Sequence, residues 1–250
     1  MLYPFILTTL AGLATLIGTL PIFFKIKNKD KIISSSCSFA GGVMICISII
    51  DLIPESIEYL RKSTSELTTI ILAFIFLLIG LLTSEKIDNY IDKISKQSSL
   101  FKVGIISMIA IILHNIPEGI VTYIVSNKNI LLGISICIAI ALHNIPEGIS
   151  IAVPVYYSTK SKKKALFYTF ISALSEPFGA IITYLFLSKI INDLILGIIF
   201  SFTAGIMLHI SIKKLLKESS TYSKSTTILF LTLGFITMLL SLFLNSILLT

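Results

Sequence analysis

The stretch Leu-His-Asn-Ile-Pro-Glu-Gly-Ile at residues 113–120 recurs without change at residues 142–149. Each copy lies in a long apolar segment, 101–126 and 130–156, and a membrane-spanning helix needs about 20 predominantly apolar residues. The two segments are consecutive in the chain, so their helices cross a bilayer in opposite directions. The duplicated stretch therefore predicts two antiparallel membrane helices that carry the same polar groups.

The rest of the chain continues this apolar pattern. Hydrophobic residues make up 55 % of the 250 residues and charged residues only 13 %, whereas a soluble domain has roughly 45–50 % and 25 %. We predict an all-α membrane protein, with a single polytopic domain over residues 1–250 and no soluble module. Its eight transmembrane helices are predicted at about residues 2–24, 33–56, 67–84, 101–126, 130–156, 165–188, 194–212 and 226–249.

Connections rich in basic residues alternate with connections that have few. Of the 20 Lys and Arg residues, all but Arg61, Lys62, Lys128 and Lys189 lie in or beside the connections that follow spans 1, 3, 5 and 7. Lysine-rich connections face the cytoplasm, so both termini are predicted to be extracytoplasmic, in a multi-pass protein of the cell membrane. Because the net charge of +7 is spread over short loops, we expect no nucleic-acid partner.

A second internal similarity relates more distant spans. Residues 38–48, Ser-Phe-Ala-Gly-Gly-Val-Met-Ile-Cys-Ile-Ser, resemble residues 201–211, Ser-Phe-Thr-Ala-Gly-Ile-Met-Leu-His-Ile-Ser. Under the predicted topology these two spans run in opposite directions, as do the two spans that carry the duplicated stretch. Secondary transporters are often built from inverted repeats, so we predict a 3+2+3 arrangement. Small residues also recur wherever membrane helices pack closely.

Ionisable groups inside the spans point to a function. All three histidines, His114, His143 and His209, lie within predicted spans, as do Glu118, Glu147 and Glu176. A charged side chain at a helix centre costs roughly 2.5–3.5 kcal/mol on insertion scales, so such residues usually face a partner or a water-filled cavity. Three intramembrane carboxylates without an intramembrane Lys or Arg require another cation.

The spacing of these groups predicts how they meet. His114 and Glu118 are four residues apart and Asn115 and Glu118 three apart, so all three side chains project from one helical face. The same holds for His143, Asn144 and Glu147. We expect Pro117 and Pro146 to break their helices and to free backbone carbonyls nearby.

Imidazole and carboxylate ligands together favour Zn²⁺ and its first-row neighbours, whereas Mg²⁺ and Ca²⁺ prefer oxygen alone. We predict Zn²⁺ as the bound substrate, with Fe²⁺, Mn²⁺, Co²⁺ or Cd²⁺ as alternatives, and no organic cofactor. The competing interpretation is that the histidines and asparagines hydrogen-bond between helices while the glutamates are protonated. Two identical motifs together with Glu176 favour the metal site.

The paired motifs and the eight spans resemble the ZIP (Zrt-, Irt-like protein) family of divalent-metal transporters, particularly its compact bacterial ZupT-like branch. The resemblance covers essentially the whole chain. It implies zinc uptake into the cytoplasm through a two-metal site near the bilayer midplane, by an elevator-like motion of the metal-bearing helices against spans 2 and 7. It also implies a homodimer.

The resemblance implies metal ligands at specific positions of this chain. The first metal is expected at His114, Glu118, His143 and Glu147, with Met44 as a further ligand. The second is expected at Asn115, Glu118, Asn144, Glu147 and Glu176, the last within Ser-Glu-Pro at residues 175–177. Two departures from the family concern the cytoplasmic side. Residues 85–100 contain no histidine, and Lys213 and Lys214 stand where relatives often have acidic residues.

Other polar residues leave two interpretations open. Asp51 and Glu55 either collect cations at an outer entrance or meet water at a helix end. His209 either relays metal inward or forms an interhelical hydrogen bond. Asp193 and Glu218 are interpreted as solvated charges at helix ends.

An intramembrane metal-dependent enzyme, a hydrolase or a di-metal oxidase, is the alternative function. Metalloproteases carry His-Glu-x-x-His, and di-iron bundles carry Glu-x-x-His. Neither string occurs in the sequence, so we expect a transporter.

Overall fold

The computed structural model describes residues 2–24, 27–187 and 191–248. Within these ranges the regular structure is helical, and eight helices are long and apolar enough to cross a membrane, which confirms the predicted number. The predicted ends at residues 188 and 249, with Lys25 and Lys189, lie outside the described residues. The helices are α1 Tyr3–Phe23, α2 Lys29–Arg61, α3 Glu66–Ile94, α4 Ser99–Lys128, α5 Ile130–Thr159, α6 Lys162–Phe186, α7 Asp193–Tyr222 and α8 Lys224–Leu248.

Several helices run past the apolar segments that predict them. Helix α3 continues from residue 84 to Ile94 because its charged last turns have partners on α7. Lys214 lies 3.5 Å from Asp92 and makes a shorter ion pair with Asp88. Glu218 is buried and accepts a hydrogen bond of 2.7 Å from Ser99 on α4, so its interpretation as a solvated charge is wrong.

Polar caps fix where six of the helices begin. In each case a side-chain oxygen accepts a hydrogen bond from a backbone N–H of the first turn, which otherwise has no partner within the helix. The capping residues of α2 to α7 are, in order, Asn28, Ser65, Ser98, Asn129, Ser161 and Asn192.

Asn129 is the single residue between α4 and α5. Its backbone N–H donates to the carbonyl of Val125 at 2.9 Å, which closes the last turn of α4. Its side-chain oxygen accepts from the N–H of Leu131 at 3.0 Å, which caps α5. The two motif-bearing helices therefore form a tight hairpin.

The predicted breaks at Pro117 and Pro146 are wrong, because α4 and α5 are helical through both prolines. A proline removes one backbone donor, but the turns on either side hold the helix. The helix that does break is α6, where Leu174 separates two helical segments. Glu176 follows in the first turn of the second segment, two residues after this interruption.

The helices differ in how deeply they are buried. Of the most apolar window of each helix, 67 % is buried in α2 and in α7, against 22 % in α3 and 17 % in α8. Helices α2 and α7 are therefore central, and α3 and α8 are peripheral. The large apolar side chains exposed on the peripheral helices, such as Leu67, Phe74 and Leu240, suit a lipid environment.

Helices α1 and α5 approach so closely that their glycines have no room for a Cβ atom. A Cβ at Gly148 would lie 1.9 Å from the carbonyl oxygen of Thr15, and one at Gly18 would lie 2.4 Å from that of Ile145. Small residues are typical of membrane helices whose backbones touch. The motif glycine of α5 therefore places this helix directly against α1.

Helices α4 and α6 repeat this contact at the equivalent motif positions. A Cβ at Gly119 would lie 2.1 Å from the carbonyl oxygen of Glu176, and one at Gly179 would lie 2.3 Å from that of Ile116. Ile116 and Ile145 are the same position in the two copies of the motif. The spacing of three residues from Thr15 to Gly18 likewise recurs from Glu176 to Gly179.

The remaining four helices form two further pairs of the same kind. Helix α2 meets α8, and α7 meets α3, each through one glycine on either side and with the same spacing of three residues. The overlaps are Gly42 with Leu231 O at 2.2 Å, Gly234 with Phe39 O at 2.2 Å, Gly205 with Leu77 O at 2.1 Å and Gly80 with Phe202 O at 1.9 Å.

Candidate metal centre

The two copies of the motif meet at one carboxylate. Oε1 of Glu118 lies 3.0 Å from Nε2 of His114, one helical turn away on α4, and 2.9 Å from Nε2 of His143 on α5. The two imidazole rings are 6.2 Å apart between centroids. Together His114, Glu118 and His143 place three potential metal-ligating atoms within 4.8 Å of one another.

A second group of side chains adjoins the first. Nδ2 of Asn144 donates to Oε1 of Glu176 in a short hydrogen bond, and Nδ2 of Asn115 donates to the same oxygen at 3.4 Å. Glu147 belongs to the first group, with Oε1 at 3.5 Å from Nε2 of His114. Helices α4, α5 and α6 thus bring seven of the eight predicted ligands into two sets of contacts, which adjoin because Asn115 follows His114 and Asn144 follows His143 in the chain.

The amide nitrogens of the two asparagines form hydrogen bonds with other described residues, whereas their amide oxygens do not. Asn144 uses its nitrogen twice, toward Glu176 and, at 2.8 Å, toward the carbonyl oxygen of Ala11 on α1. Its Oδ1 has no hydrogen-bond partner among the described residues, and neither has Oδ1 of Asn115. Both amides therefore keep an acceptor atom for something other than the protein.

The carboxylates have free acceptor atoms too. Within the described part of the chain, Oε2 of Glu118, both oxygens of Glu147 and Oε2 of Glu176 accept no hydrogen bond. All three side chains are buried, with Glu118 6 % exposed and Glu147 and Glu176 at 0 %. A buried polar atom without a partner costs about 1–3 kcal/mol, and more if it is charged.

These vacant acceptors fit a cation. Buried charges are normally paired or bound to metal ions, and among the described residues no Lys or Arg forms an ion pair with any of the three carboxylates. Two imidazole nitrogens beside carboxylate oxygens suit zinc and neighbouring first-row metals. The amide and carboxylate oxygens around Glu176 form a second, oxygen-only donor set. The cluster can therefore hold divalent metal ions.

A cavity of about 110 Å³ reaches the cluster from one side. Glu118 and His143 line it, together with Asp51 and Glu55 on α2. The structure thus places these two acidic residues on the same cavity as the metal-binding side chains, which favours the entrance interpretation over a simple helix end. A cleft lined by one sign of charge raises the local concentration of counter-ions.

Two further predicted residues, Met44 and His209, are not among these contacts. Met44 is fully buried in α2, and its role as a ligand stays a prediction. Nδ1 of His209 and the hydroxyl of Ser84 on α3 share a hydrogen bond of 2.9 Å, which matches the interhelical interpretation of this residue.

One member of the site is missing from the sequence-based prediction. The carbonyl of Ala11 holds the amide of Asn144 in place, so α1 contributes to the site through its backbone. A backbone carbonyl has no side-chain signature. The only signal in the sequence is the run of small residues Ala11 and Gly12, which allows close approach.

Comparison with known proteins gives a consistent result. The family model described as ZIP Zinc transporter matches residues 91–242. The protein named Zinc transporter ZupT of Streptococcus mutans serotype c is 43 % identical over 235 residues, which cover 88 % of each chain. The protein of that name from Clostridium perfringens is 38 % identical over 253 residues, covering 90 % of this chain and 89 % of the relative.

A third relative from Chlorobaculum parvum, also named Zinc transporter ZupT, is 37 % identical over 241 residues and 90 % of each chain. These matches favour a transporter of divalent metal over the alternative of a metal-dependent enzyme. With eight helices that can span a bilayer, the chain is a multi-pass membrane protein. It belongs to the ZIP zinc transporter family, in its bacterial ZupT-like branch.

Proposed function

We propose that this protein takes up zinc into the cytoplasm through a two-metal site at the meeting point of α4, α5 and α6. The observation that carries the proposal is the set of buried, unpartnered acceptor atoms on Asn115, Asn144, Glu118, Glu147 and Glu176. A bound cation would satisfy these atoms, each of which otherwise costs free energy in a buried position.

The first metal is bound by the imidazoles of His114 and His143 with the carboxylates of Glu118 and Glu147, and Met44 adds a soft sulfur ligand. The contacts of Glu118 with both histidines support this assignment. The second metal is bound by Asn115, Asn144 and Glu176, with Glu118 and Glu147 bridging the two ions. The hydrogen bonds from both amides to Glu176 support this second set.

Zinc enters from the side of Asp51 and Glu55. Their cavity is also lined by Glu118 and His143, and the positive-inside rule predicts that this end of α2 is extracytoplasmic. Other divalent metals of the first row, and Cd²⁺, suit the same donors, and the names of the relatives favour zinc. Passage requires no organic cofactor.

Transport proceeds by an elevator-like motion within an inverted 3+2+3 repeat. The glycine contacts support this proposal because they sort the helices into two groups, α1, α4, α5 and α6 in one and α2, α3, α7 and α8 in the other. Their recurrent spacing is what a pseudo-twofold relation between α1–α3 and α6–α8 predicts. The first group carries the metal, and the second is the scaffold of a homodimer.

The test uses purified protein in liposomes loaded with a zinc-sensitive dye. We expect Glu118→Ala and Glu147→Ala to reduce zinc entry to the level of protein-free liposomes. Glu85→Ala is the matched control, because Glu85 is an exposed glutamate on α3, and it should transport at the unmodified rate. If folded Glu118→Ala and Glu147→Ala proteins admit zinc as fast as the control, the proposed site is wrong.

A further inference from the structure

The polar contacts between helices fall into the same two groups as the glycine contacts. We call α1, α4, α5 and α6 the metal-bearing group and α2, α3, α7 and α8 the scaffold group. In the scaffold group, Ser56 on α2 and Ser201 on α7 share a hydrogen bond of 2.6 Å. In the metal-bearing group, the thiol of Cys137 on α5 donates to the carbonyl of Leu7 on α1 at 3.2 Å. The aromatic pairs between described residues follow the same division.

Two polar contacts cross between the groups, and both lie at the beginning of α4. The hydroxyl of Ser99 donates to Oε2 of Glu218 on α7 at 2.7 Å. Lys102 lies 3.0 Å from Oδ1 of Asp92 on α3 and donates to its carbonyl oxygen at 3.3 Å. Among the described residues, every other side-chain hydrogen bond or ion pair between helices stays within one group. We call the two crossing contacts the closure contacts.

Asp92 is held in position from the scaffold side. Lys214 on α7 lies 3.5 Å from Oδ2 of Asp92 and also pairs with Asp88, one turn earlier on α3. The carboxylate of Asp92 therefore has one oxygen toward the scaffold lysine and the other toward Lys102.

The contact of Glu218 is more than a local feature of a loop. Asp92 and Lys102 flank a short connection, so their ion pair alone would be an ordinary contact between adjacent helix ends. Ser99 and Glu218 are 119 positions apart in the chain, and Glu218 is only 8 % exposed. A buried carboxylate is costly without a donor, and here the metal-bearing group supplies one.

On one side of the metal centre, the two groups are separated by the cavity at Asp51. Phe200 of α7 lines this cavity together with Glu118 and His143, so the cavity lies between the groups and reaches the metal ligands.

A second cavity lies between the groups at the beginning of α4. Its volume is about 260 Å³, and its lining includes Val103 and all four residues of the closure contacts. It shares no lining residue with the cavity at Asp51. Ile106 and Ile111, which lie on α4 between Val103 and His114, are buried. Apolar packing therefore separates this second cavity from the metal ligands.

We propose that the closure contacts hold the cytoplasmic side of the protein shut while the cavity at Asp51 is open. The inference rests on the proposed elevator-like motion of one group against the other, and on the positive-inside rule, which predicts that α4 begins in the cytoplasm. Apolar contacts have no preferred direction, so they oppose such a motion less than a hydrogen bond or an ion pair, which is lost when its two atoms separate. Ser99 and Lys102 are thus positioning residues, and their contacts break before metal leaves toward the cytoplasm.

The experiment follows two introduced cysteines in a chain whose three native cysteines, all buried, are replaced by alanine. Val103→Cys lies in the second cavity and reports cytoplasmic opening, since Val103 is only 3 % exposed. Ala139→Cys lies in the cavity at Asp51. A membrane-impermeant maleimide labels Val103→Cys in inside-out vesicles, with chelator present and no added zinc.

We expect Ser99→Ala with Lys102→Gln to raise the labelling rate of Val103→Cys about ten-fold, because a hydrogen bond to a charged group and an ion pair are both lost. The control, Ser220→Ala with Lys163→Gln, also removes one hydroxyl and one charge. Ser220 bonds within its own helix and Lys163 is exposed, so the control should label at the unmodified rate. Ser99→Thr with Lys102→Arg keeps both donors and should label close to that rate.

A second measurement separates closure of the whole protein from loosening of α4 alone. Ala139→Cys is first blocked with a bulky maleimide from outside intact cells, which holds the cavity at Asp51 open. Inside-out vesicles are then prepared, and we expect the block to return labelling of Val103→Cys in the closure variant to the control rate. A rise that persists after the block overturns the proposal, as does equal labelling of the closure variant and the control.

These outcomes are independent of the zinc assay. If Glu118→Ala abolishes zinc uptake but the closure variant labels like its control, the closure is wrong and the proposed function stands. If labelling changes as expected but Glu118→Ala transports zinc normally, the zinc site is wrong and the closure stands.

Discussion

The two copies of the motif are identical in sequence but differ in their surroundings. On α4, Glu118 contacts both histidines and lines the cavity that Asp51 and Glu55 share. On α5, Glu147 is fully buried, and neither of its oxygens accepts a hydrogen bond from the described residues. The amide nitrogen of Asn144 on α5 donates to two acceptors, Glu176 and the Ala11 carbonyl. Among the described residues, that of Asn115 on α4 donates to Glu176 alone.

Because of this difference, we expect the two identical copies of the motif to have different roles. The α4 copy presents the carboxylate of Glu118 to the cavity, whereas the α5 copy presents the imidazole of His143. Under the proposed function we therefore expect Glu118 to be the first motif carboxylate that an incoming ion meets. The α5 copy is tied to α1 through Asn144, so it supports the site from behind. Identical ligands become unequal because the helices packed around them are not the same.

The largest expected effect is on the carboxylates. We expect Glu118→Gln to lower zinc uptake by at least about 100-fold, the upper end of the cost of losing even an outer-shell partner of a metal. Glu147→Gln should reduce uptake less, because Glu147 has only one histidine contact. Uptake into dye-loaded liposomes and bound zinc per chain are the measurements, with Glu85→Gln as control. A greater loss in Glu147→Gln would reverse the assignment of roles.

The next effect concerns the motif glycines. Gly148→Ala and Gly119→Ala force a Cβ to within 1.9 Å and 2.1 Å of backbone oxygens, and overpacking typically costs about 1–3 kcal/mol. We expect both to lower the thermal unfolding midpoint in detergent. Gly41→Ala is the control, since its Cβ would meet the flexible end of Leu216 at 3.2 Å. Equal midpoints in all three variants would contradict the close packing.

A smaller effect distinguishes the two asparagines. Asn144→Ala removes the buried hydrogen bonds from Asn144 to the Ala11 carbonyl and to Glu176, at a cost of about 1–3 kcal/mol. Asn115→Ala removes only a long contact of 3.4 Å and should cost less. Unfolding of metal-free protein in chelator measures this difference without the contribution of bound zinc. If Asn115→Ala is the less stable variant, α1 does not anchor the α5 copy.

The smallest effect is expected at the entrance. Asp51→Asn removes one charge from the cavity wall but leaves the metal ligands unchanged, so we expect the half-saturating zinc concentration to rise by a few-fold while the maximal rate stays the same. The difference should shrink at high ionic strength, because salt screens the attraction. Glu66→Gln is the control, an exposed acid paired with Arg61. A change in maximal rate alone would place Asp51 outside the entrance role.

Most of the helices were predictable from apolar runs, and the meeting of His114, Glu118 and His143 followed from their spacing in two antiparallel spans. The break of α6 at Leu174 was not predictable in the same way. Pro117, Pro146 and Pro177 look alike in sequence, yet only the helix that contains Pro177 has a break next to its proline. Packing decides which proline is tolerated, because neighbouring helices hold the turns together.

The roles of Ala11 and Glu218 could not be predicted from the sequence either. The first acts through a backbone carbonyl, and the second is buried by a hydrogen bond from Ser99, a residue more than a hundred positions away in the chain. Such contacts depend on the three-dimensional arrangement of helices, which a local pattern of residues does not specify.

Asn129 ends one helix and begins the next without an intervening loop. A connection of one residue is too short to let α4 and α5 shift relative to one another by a helical turn. Any displacement of His114 along the membrane normal is therefore shared by His143. A single spectroscopic label on this turn would report the position of both halves of the metal centre at once.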